Sequence, residues 1–151
     1  MLRAQLNDAL KEAMKTRNER GVSTVRMILS TLKDRDIAAR SKGNYDGISE
    51  DEIRSMLQAM IKQRRESIAL YEQGGRAELA RQEAEEIAVI EGFLPKQLGD
   101  AEIEQAAKAV IGETGAQGIK DMGKVMAAMK QRYAGQMDMT KASAAVKKLL
   151  G

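Results

Sequence analysis

The chain of 151 residues contains no cysteine and no histidine. Without cysteine there is no disulfide, no thiol nucleophile and no thiolate metal site. Without histidine, Ser-His-Asp and Cys-His catalysis, the usual proton shuttle near neutral pH and the commonest zinc ligand are excluded as well. The sequence therefore predicts no catalytic residue, no metal and no cofactor, and a protein that is not an enzyme on its own.

Aromatic residues are scarce too, at 3% of the chain, whereas hydrophobic residues make up 43% and charged residues 31%. This is enough apolar material for a core and enough charge for solubility. The abundant types, among them Ala, Leu, Met, Glu, Lys and Arg, favour helices over strands. The composition predicts an all-α fold.

Long hydrophobic runs are missing. Nowhere do about 18 apolar residues follow one another, as a membrane-spanning helix requires. Residues 1–8 carry charges and amides where a secretory signal peptide needs an apolar segment. We therefore expect a cytoplasmic protein that does not enter the membrane.

The single proline, Pro95, divides the chain. It cannot donate a backbone hydrogen bond, and its ring excludes Leu94 from helical geometry, so a preceding helix must end by about Phe93. Asp100 can then cap a new helix. The sequence predicts an N-terminal helical domain over residues 1–94 and a small three-helix bundle over residues 95–151.

Apolar residues recur at helical spacing in four segments before the proline. The first helix is predicted to end near Arg17, and Ser23 can cap the second. Ser49 and Glu52 form the pattern of a capping box, in which each side chain accepts a backbone N–H of the other residue. The third and fourth helices are predicted to form a hairpin about residues 74–75.

Three segments after the proline show the same spacing. The sixth helix of the chain is predicted to run from Lys120 to Ala134. Gly135 is predicted to end it, and Asp138 to cap the last helix.

Charged residues interrupt the apolar stripes of the third and fourth helices. Arg64 lies about as far before the hairpin turn as Glu83 and Glu86 lie after it. Because a carboxylate in an apolar stripe is costly unless it is paired, we predict a structural ion pair of Arg64 with these glutamates. An acid/base site is the alternative, although no nucleophile motif accompanies it.

Positive charge is concentrated after the proline. Residues 1–94 carry sixteen basic and sixteen acidic residues, whereas residues 95–151 carry nine and six. Since Tyr133 is the only aromatic residue after Phe93, recognition of a folded RNA through its phosphates fits better than stacking on bases. The alternative is that these lysines only form the solvated surface of a small bundle and bind no partner. The predicted nucleic-acid-binding residues are Lys120, Lys124, Lys130, Arg132, Lys141, Lys147 and Lys148.

Four segments resemble the YqeY-like family, namely residues 62–68, 86–98, 121–126 and 135–138. The most specific are Phe-Leu-Pro-Lys-Gln-Leu at 93–98 and Met-Gly-Lys-Val-Met at 122–126. This family is similar to the C-terminal tail of the B subunit (GatB) of the tRNA-dependent amidotransferase. The resemblance implies two helical bundles and an accessory role in contact with tRNA.

The positions that match the tail motif are Met122, Gly123, Lys124, Gly135 and Asp138. The resemblance implies that Lys124 contacts a tRNA phosphate. Gly123 and Gly135 are candidates for a close backbone approach by a partner. Tight packing of Gly123 on the fifth helix is the alternative.

Family labels add carbon–nitrogen ligase activity with glutamine as amido-N-donor. In the amidotransferase that the family resembles, both reaction sites belong to other, larger domains. The resemblance therefore implies a tRNA-binding accessory protein without a catalytic site of its own. The alternative is an adaptor that binds an amidotransferase or an aminoacyl-tRNA synthetase and has no direct contact with RNA.

Overall fold

The computed structural model describes residues 1–133 and 135–151, and the predicted end of the sixth helix at Ala134 lies outside them. The described part of the chain contains helices and no strand, which confirms the all-α prediction. A short 3-10 turn, Ile119–Asp121, precedes the sixth helix. The α-helices are α1 (Leu2–Lys15), α2 (Glu19–Arg40), α3 (Glu50–Gln73), α4 (Ala77–Glu91), α5 (Asp100–Thr114), α6 (Met122–Arg132) and α7 (Met139–Leu150).

The chain divides into two compact units, Met1–Leu94 (unit 1) and Pro95–Gly151 (unit 2). Helix α4 ends at Glu91 and is followed by Gly92 as its C-cap. The helix therefore ends before Leu94, the residue that the proline ring excludes from helical geometry.

Unit 1 is built from α1 to α4, with α3 and α4 in extensive contact. The apolar stripes of all four helices meet in one core, where burial of each large aliphatic side chain contributes roughly 1.5–3 kcal/mol. Its fully buried members are Leu6, Ile28, Ile53, Met56, Leu57 and Ile90.

The start of α2 differs from the prediction. Arg17 has a positive φ of 56°, which ends the preceding turn. The side chain of Asn18 then accepts a hydrogen bond from Gly21 N at 3.0 Å and caps the helix. Ser23 lies inside α2, where its hydroxyl donates to Arg20 O at 3.2 Å. The prediction of Ser23 as the cap is therefore wrong, because a better cap stands five residues earlier.

The capping box of α3 is confirmed. Glu52 N donates to Ser49 Oγ at 3.2 Å, and Ser49 N donates to Glu52 Oε1 at 3.5 Å. The two residues thus satisfy backbone donors that the first helical turn leaves without partners.

Arg3 of α1 holds both Asp36 of α2 and the loop that follows α2. Arg3 donates to both oxygens of Asp36 at 2.8 and 2.9 Å and to Ile48 O at 3.0 Å. Asp36 also accepts a hydrogen bond from Ile48 N at 2.9 Å. The hydrogen bonds from Arg3, chiefly, lower the pKa of Asp36 from 3.8 to about 2.

Unit 2 is a three-helix unit in which α5, α6 and α7 contact one another. Its core holds small and medium aliphatic side chains together with two methionines. These are Ile103, Ala106, Ala107, Val110, Val125, Met129, Met137, Ala142 and Val146.

The ends of the helices in unit 2 bear out one prediction and correct two others. Thr140 N donates to Asp138 Oδ1 at 2.8 Å, so Asp138 caps α7 as predicted. The N-cap of α5 is Gly99 rather than Asp100, because Glu102 Oε1 reaches back to Gly99 N at 3.2 Å. The segment at Lys120 is a 3-10 turn, and the α-helix begins at Met122.

Candidate nucleic-acid interface

The predicted phosphate-binding residues of unit 2 are all exposed, but their surroundings differ. Arg132 forms an ion pair with Glu113, which lowers the pKa of that carboxyl. Lys141 Nζ lies 3.2 Å from Asp100 Oδ1. Exposed pairs of this kind contribute little to stability, and a phosphate can replace the carboxylate at small cost.

Lys124 has a contact within the chain. Its Nζ donates to Thr114 O at 3.2 Å. Thr114 is the last residue of α5, where backbone carbonyls lack helical partners and the helix dipole favours a cation. Lys124 therefore stabilises the end of α5, and an ammonium group has further N–H donors for a ligand.

The other four lysines, at 120, 130, 147 and 148, form no ion pair with any residue of the described ranges. Lys147 and Lys148 lie in the last turn of α7. Gly151, just after them, lies beside the 3-10 turn, since a Cβ built on it would be 3.4 Å from Ile119 Cδ1. Lys120, Lys147 and Lys148 therefore occupy one end of unit 2, which we call the lysine end.

Lys130 is separate from the lysine end. It is ten residues after Lys120, and α6 rises about 1.5 Å per residue. The predicted cations thus lie at several separate places on the surface of unit 2 and do not form one continuous row.

The two candidate close-approach glycines differ. A Cβ built on Gly123 would meet no atom of the described residues within 4 Å, so this glycine does not pack tightly on α5, and the surface above it is open. Gly135 has a positive φ of 74°, and its carbonyl accepts a hydrogen bond from Gln97 Nε2 at 2.6 Å. Its backbone conformation alone explains why glycine stands there.

In unit 1 the structure brings Arg64, Glu83 and Glu86 together. Arg64 Nε lies 2.8 Å from Glu86 Oε2 and 3.9 Å from Glu83 Oε2. Arg64 is only 6% exposed. It also donates from Nη1 to Met60 O at 3.2 Å, and its Nη2 contacts the sulfur of Met27 on α2.

Sequence reasoning missed Arg20, which extends this cluster. Its Nη1 is 3.7 Å from Glu86 Oε1, and its Nε is 3.2 Å from Glu85 Oε2. The cluster therefore joins α2, α3 and α4. The sequence signal that could have identified Arg20 is Asn18. If Asn18 is taken as the N-cap, Arg20 lies within α2 rather than in a break between two helices.

The two glutamates near Arg64 are not equivalent. Burial, followed by the charge of Glu86, raises the pKa of Glu83 above its usual value. A carboxyl with a raised pKa is one component that a general acid requires. Here, however, it lies beside a buried arginine whose contacts fix the packing of three helices.

Within residues 1–133 and 135–151, no three acidic side chains lie close enough together to hold a metal ion. None of the helices described is both long enough and apolar enough to cross a membrane.

The protein is thus all-helical and consists of two units, and the second unit is rich in exposed lysines. The profile of the YqeY-like protein family matches residues 3–150. This match spans nearly the entire chain, and the chain belongs to the YqeY-like family.

Three curated fungal relatives carry the name "Altered inheritance of mitochondria protein 41, mitochondrial". The protein of Kluyveromyces lactis is 31% identical over 90 residues, covering 60% of this chain and 46% of the relative. That of Candida glabrata is 34% identical over 89 residues, covering 59% and 47%. That of Eremothecium gossypii is 33% identical over 91 residues, covering 60% and 48%. The match spans about half the length of these relatives.

These names contradict the cytoplasmic location expected from the sequence, since the relatives are named as mitochondrial proteins. The expectation depended on the lack of a secretory signal and of a membrane span. Neither feature distinguishes the cytoplasm from the interior of a mitochondrion, so the inference was wrong.

Proposed function

We propose that this chain is a tRNA-binding accessory protein and that unit 2 supplies the contacts with RNA phosphates. The observation that carries the proposal is the lysine end, where Lys120, Lys147 and Lys148 are exposed and form no ion pair with the described residues. Cations that form no ion pair within the protein remain available to phosphates.

Two further observations support this proposal. The open surface above Gly123 leaves room for a sugar–phosphate backbone to come close to α6. Lys124, one residue later, is exposed and keeps donors beyond its contact with Thr114. Both residues belong to the segment that resembles the tail of the amidotransferase B subunit.

The role is accessory rather than catalytic. In the complex that the tail belongs to, carbon–nitrogen ligase chemistry takes place in other domains. We assign no reaction step to this chain, and its contribution is to hold tRNA near a catalytic partner.

The test is binding of total tRNA to the whole chain across a series of salt concentrations. We expect a steep decrease in affinity with salt for the wild type. In the variant K120A/K147A/K148A, the slope of log K against log salt should fall by about two to three, because each lost phosphate contact removes about 0.7–0.9 from it.

The matched control is K62A/R76A/R81A, which removes three exposed cations of unit 1. It should bind tRNA with the affinity and salt slope of the wild type. Circular dichroism should show the same helicity for both variants. Absence of tRNA binding at low salt, or equal losses in the two variants, would reject the proposal in favour of the adaptor without RNA contact.

A further inference from the structure

Helix α2 carries a row of cations on its outer side. Arg26, Lys33 and Arg40 are spaced seven residues apart, and all three are exposed. Seven residues are about two turns, so the side chains follow one another along one side of the helix at intervals of roughly 10 Å. None of the three forms an ion pair with any residue that the structure describes. We call these residues the cation row.

A groove of about 330 Å³ lies beside the cation row, between α1 and α2. Its apolar lining comes from Leu29, Leu32 and Ile37, and Ile37 is 51% exposed. Lys33 and Arg40 also line it. The groove thus combines an apolar surface with positive charge along one side.

The carboxylate of Asp36 also lines the groove, but it is already engaged. Arg3 holds both of its oxygens, and Ile48 N donates to one of them. Asp36 is therefore paired chiefly with Arg3, and although Arg40 is close enough to attract its carboxylate, Arg40 forms no ion pair with it.

We propose that the groove and the cation row bind an acidic amphipathic helix of a partner protein. In a helix with a carboxylate at every seventh position, the carboxylates are spaced at the same interval as the residues of the cation row. The spacing matches whether the partner helix runs parallel or antiparallel to α2. Apolar side chains between those carboxylates would enter the groove at Leu29 and Ile37, in the way that amphipathic helices occupy grooves. Opposite charges along the rim would set the register.

An RNA fits this surface less well. Phosphates would pair with the cation row, but Leu29 and Ile37 offer nothing to a sugar–phosphate backbone. The inference does not rest on tRNA binding by unit 2. If both hold, unit 1 joins a protein partner while unit 2 contacts RNA.

The probe is a helical peptide of about 18 residues with glutamate at every seventh position and leucines between them on the same face. A second peptide has the same composition, with its glutamates moved to the opposite face. Binding to the whole chain is measured by fluorescence anisotropy, and the bound surface is mapped by NMR. We expect the first peptide to bind better, with shifts confined to α2 from Arg26 to Arg40 and to the facing part of α1.

Two variants separate charge from apolar contact. R26A/K33A/R40A should weaken binding of the first peptide roughly tenfold, because the variant loses three exposed ion pairs that each contribute modestly. I37S should weaken it several-fold without affecting the fold, because Ile37 is half exposed. The control K62A/R76A/R81A should bind like the wild type.

Equal affinity for the two peptides, equal losses in the two triple variants, or shifts located elsewhere would overturn the inference. The inference would also be overturned if tRNA displaced the first peptide and R26A/K33A/R40A lost tRNA binding, because the cation row would then be an RNA surface. Loss of RNA binding confined to K120A/K147A/K148A leaves the peptide result intact, so the two proposals fail separately.

Discussion

Arg64 Nε lies 2.8 Å from Glu86 Oε2, and this contact joins α3 to α4. Both residues interrupt apolar stripes that face the core of unit 1. A pair of this kind adds less stability than its short distance indicates, because both groups lose hydration. Removing one partner is much more costly, since it leaves a charge buried without compensation.

Glu86→Ala should lower the free energy of unfolding by about 2–4 kcal/mol. The guanidinium of Arg64, 6% exposed, would keep only Glu83 at 3.9 Å and more distant groups as acidic neighbours. Urea denaturation followed by circular dichroism measures the change. The double variant Arg64→Met/Glu86→Leu should recover most of the loss, because it replaces both charges with apolar groups of similar size.

The matched control is Arg65→Ala. Arg65 pairs with Glu91 at 3.3 Å, also between α3 and α4, but its side chain is 54% exposed. Its loss should cost less than about 1 kcal/mol. Similar effects for Glu86→Ala and Arg65→Ala would show that burial does not distinguish the two pairs.

Glu83 should give the stability of unit 1 a dependence on pH. Burial is the main cause that raises its pKa in the folded state above the usual 4.5. The folded state then holds the proton more tightly than the unfolded state, so the free energy of unfolding falls as pH rises above about 4.5. Glu83→Gln removes this dependence, and the variant should gain stability relative to the wild type between pH 4 and pH 7.

Chemical denaturation of both proteins at several pH values measures that difference. If Glu83→Gln instead becomes less stable than the wild type as the pH rises, the attraction of Arg64 for the Glu83 carboxylate outweighs the cost of burial.

Gly47 and Gly43 allow a clean comparison in the loop between α2 and α3. Both have positive φ, +89° and +88°, so alanine is strained at either position. A Cβ on Gly47 would also lie 2.6 Å from Arg3 Nη2, whereas one on Gly43 would meet nothing within 4 Å. Gly43→Ala should cost about 1 kcal/mol, and Gly47→Ala about 2–3 kcal/mol, because Arg3 can move only by giving up its bonds to Asp36.

Thermal and urea unfolding of the two alanine variants provides the measurement. Equal losses would mean that Arg3 moves aside at no cost and that the loop does not depend on its ion pair.

Most of the fold could be predicted from local patterns. The spacing of apolar residues indicates the helices, and Ser49 with Glu52 marks the start of α3 within a few residues. The choice of Asn18 over Ser23 as a cap could not be predicted in this way. It depends on the positive φ of Arg17, a backbone state that a helical pattern does not reveal.

Contacts between distant segments were less predictable. Asp36 lies between Leu32 and Ala39 on the apolar face of α2, but its partner Arg3 is 33 residues away and no tight turn relates the two positions. Arg64 and Glu86 could be matched only because the hairpin turn relates their positions. In unit 2, residue type indicated the cations, but tertiary contacts decide which of them are engaged, as with Arg132 and Glu113.

Asp36 should make the folded loop sensitive to acid. Its pKa is lowered from 3.8 to about 2, chiefly by the hydrogen bonds from Arg3. The resulting stability is fully present above about pH 4 and is lost as the pH falls towards 2. Because Arg3 is partly solvated, we expect Asp36→Asn to cost only about 1–2 kcal/mol at neutral pH, and the difference from the wild type to shrink between pH 4 and pH 2.

Asp34→Asn is the control for this titration. Asp34 is exposed on the same helix and forms no ion pair with the residues that the structure describes. Its variant should have the stability of the wild type at neutral pH, because it breaks no ion pair. A constant deficit in Asp36→Asn down to pH 2 would mean that shape, rather than charge, holds the loop.

Gly123 separates stability from binding. Alanine fits at this position because nothing lies within 4 Å of the built Cβ, and it favours a helix by roughly 0.5–1 kcal/mol over glycine. Gly123→Ala should therefore raise the free energy of unfolding. If an RNA backbone approaches α6 closely there, the same methyl group should weaken tRNA binding roughly tenfold, as a loss of about 1.4 kcal/mol would do.

Gly112→Ala distinguishes a specific contact from a general effect of stiffening. Gly112 lies inside α5, and a Cβ built on it also meets nothing within 4 Å. Both variants should gain similar stability, but Gly112→Ala should retain the tRNA affinity of the wild type. If Gly123→Ala is more stable and binds tRNA with unchanged affinity, Gly123 is not part of the interface. The lysine end is tested separately by K120A/K147A/K148A.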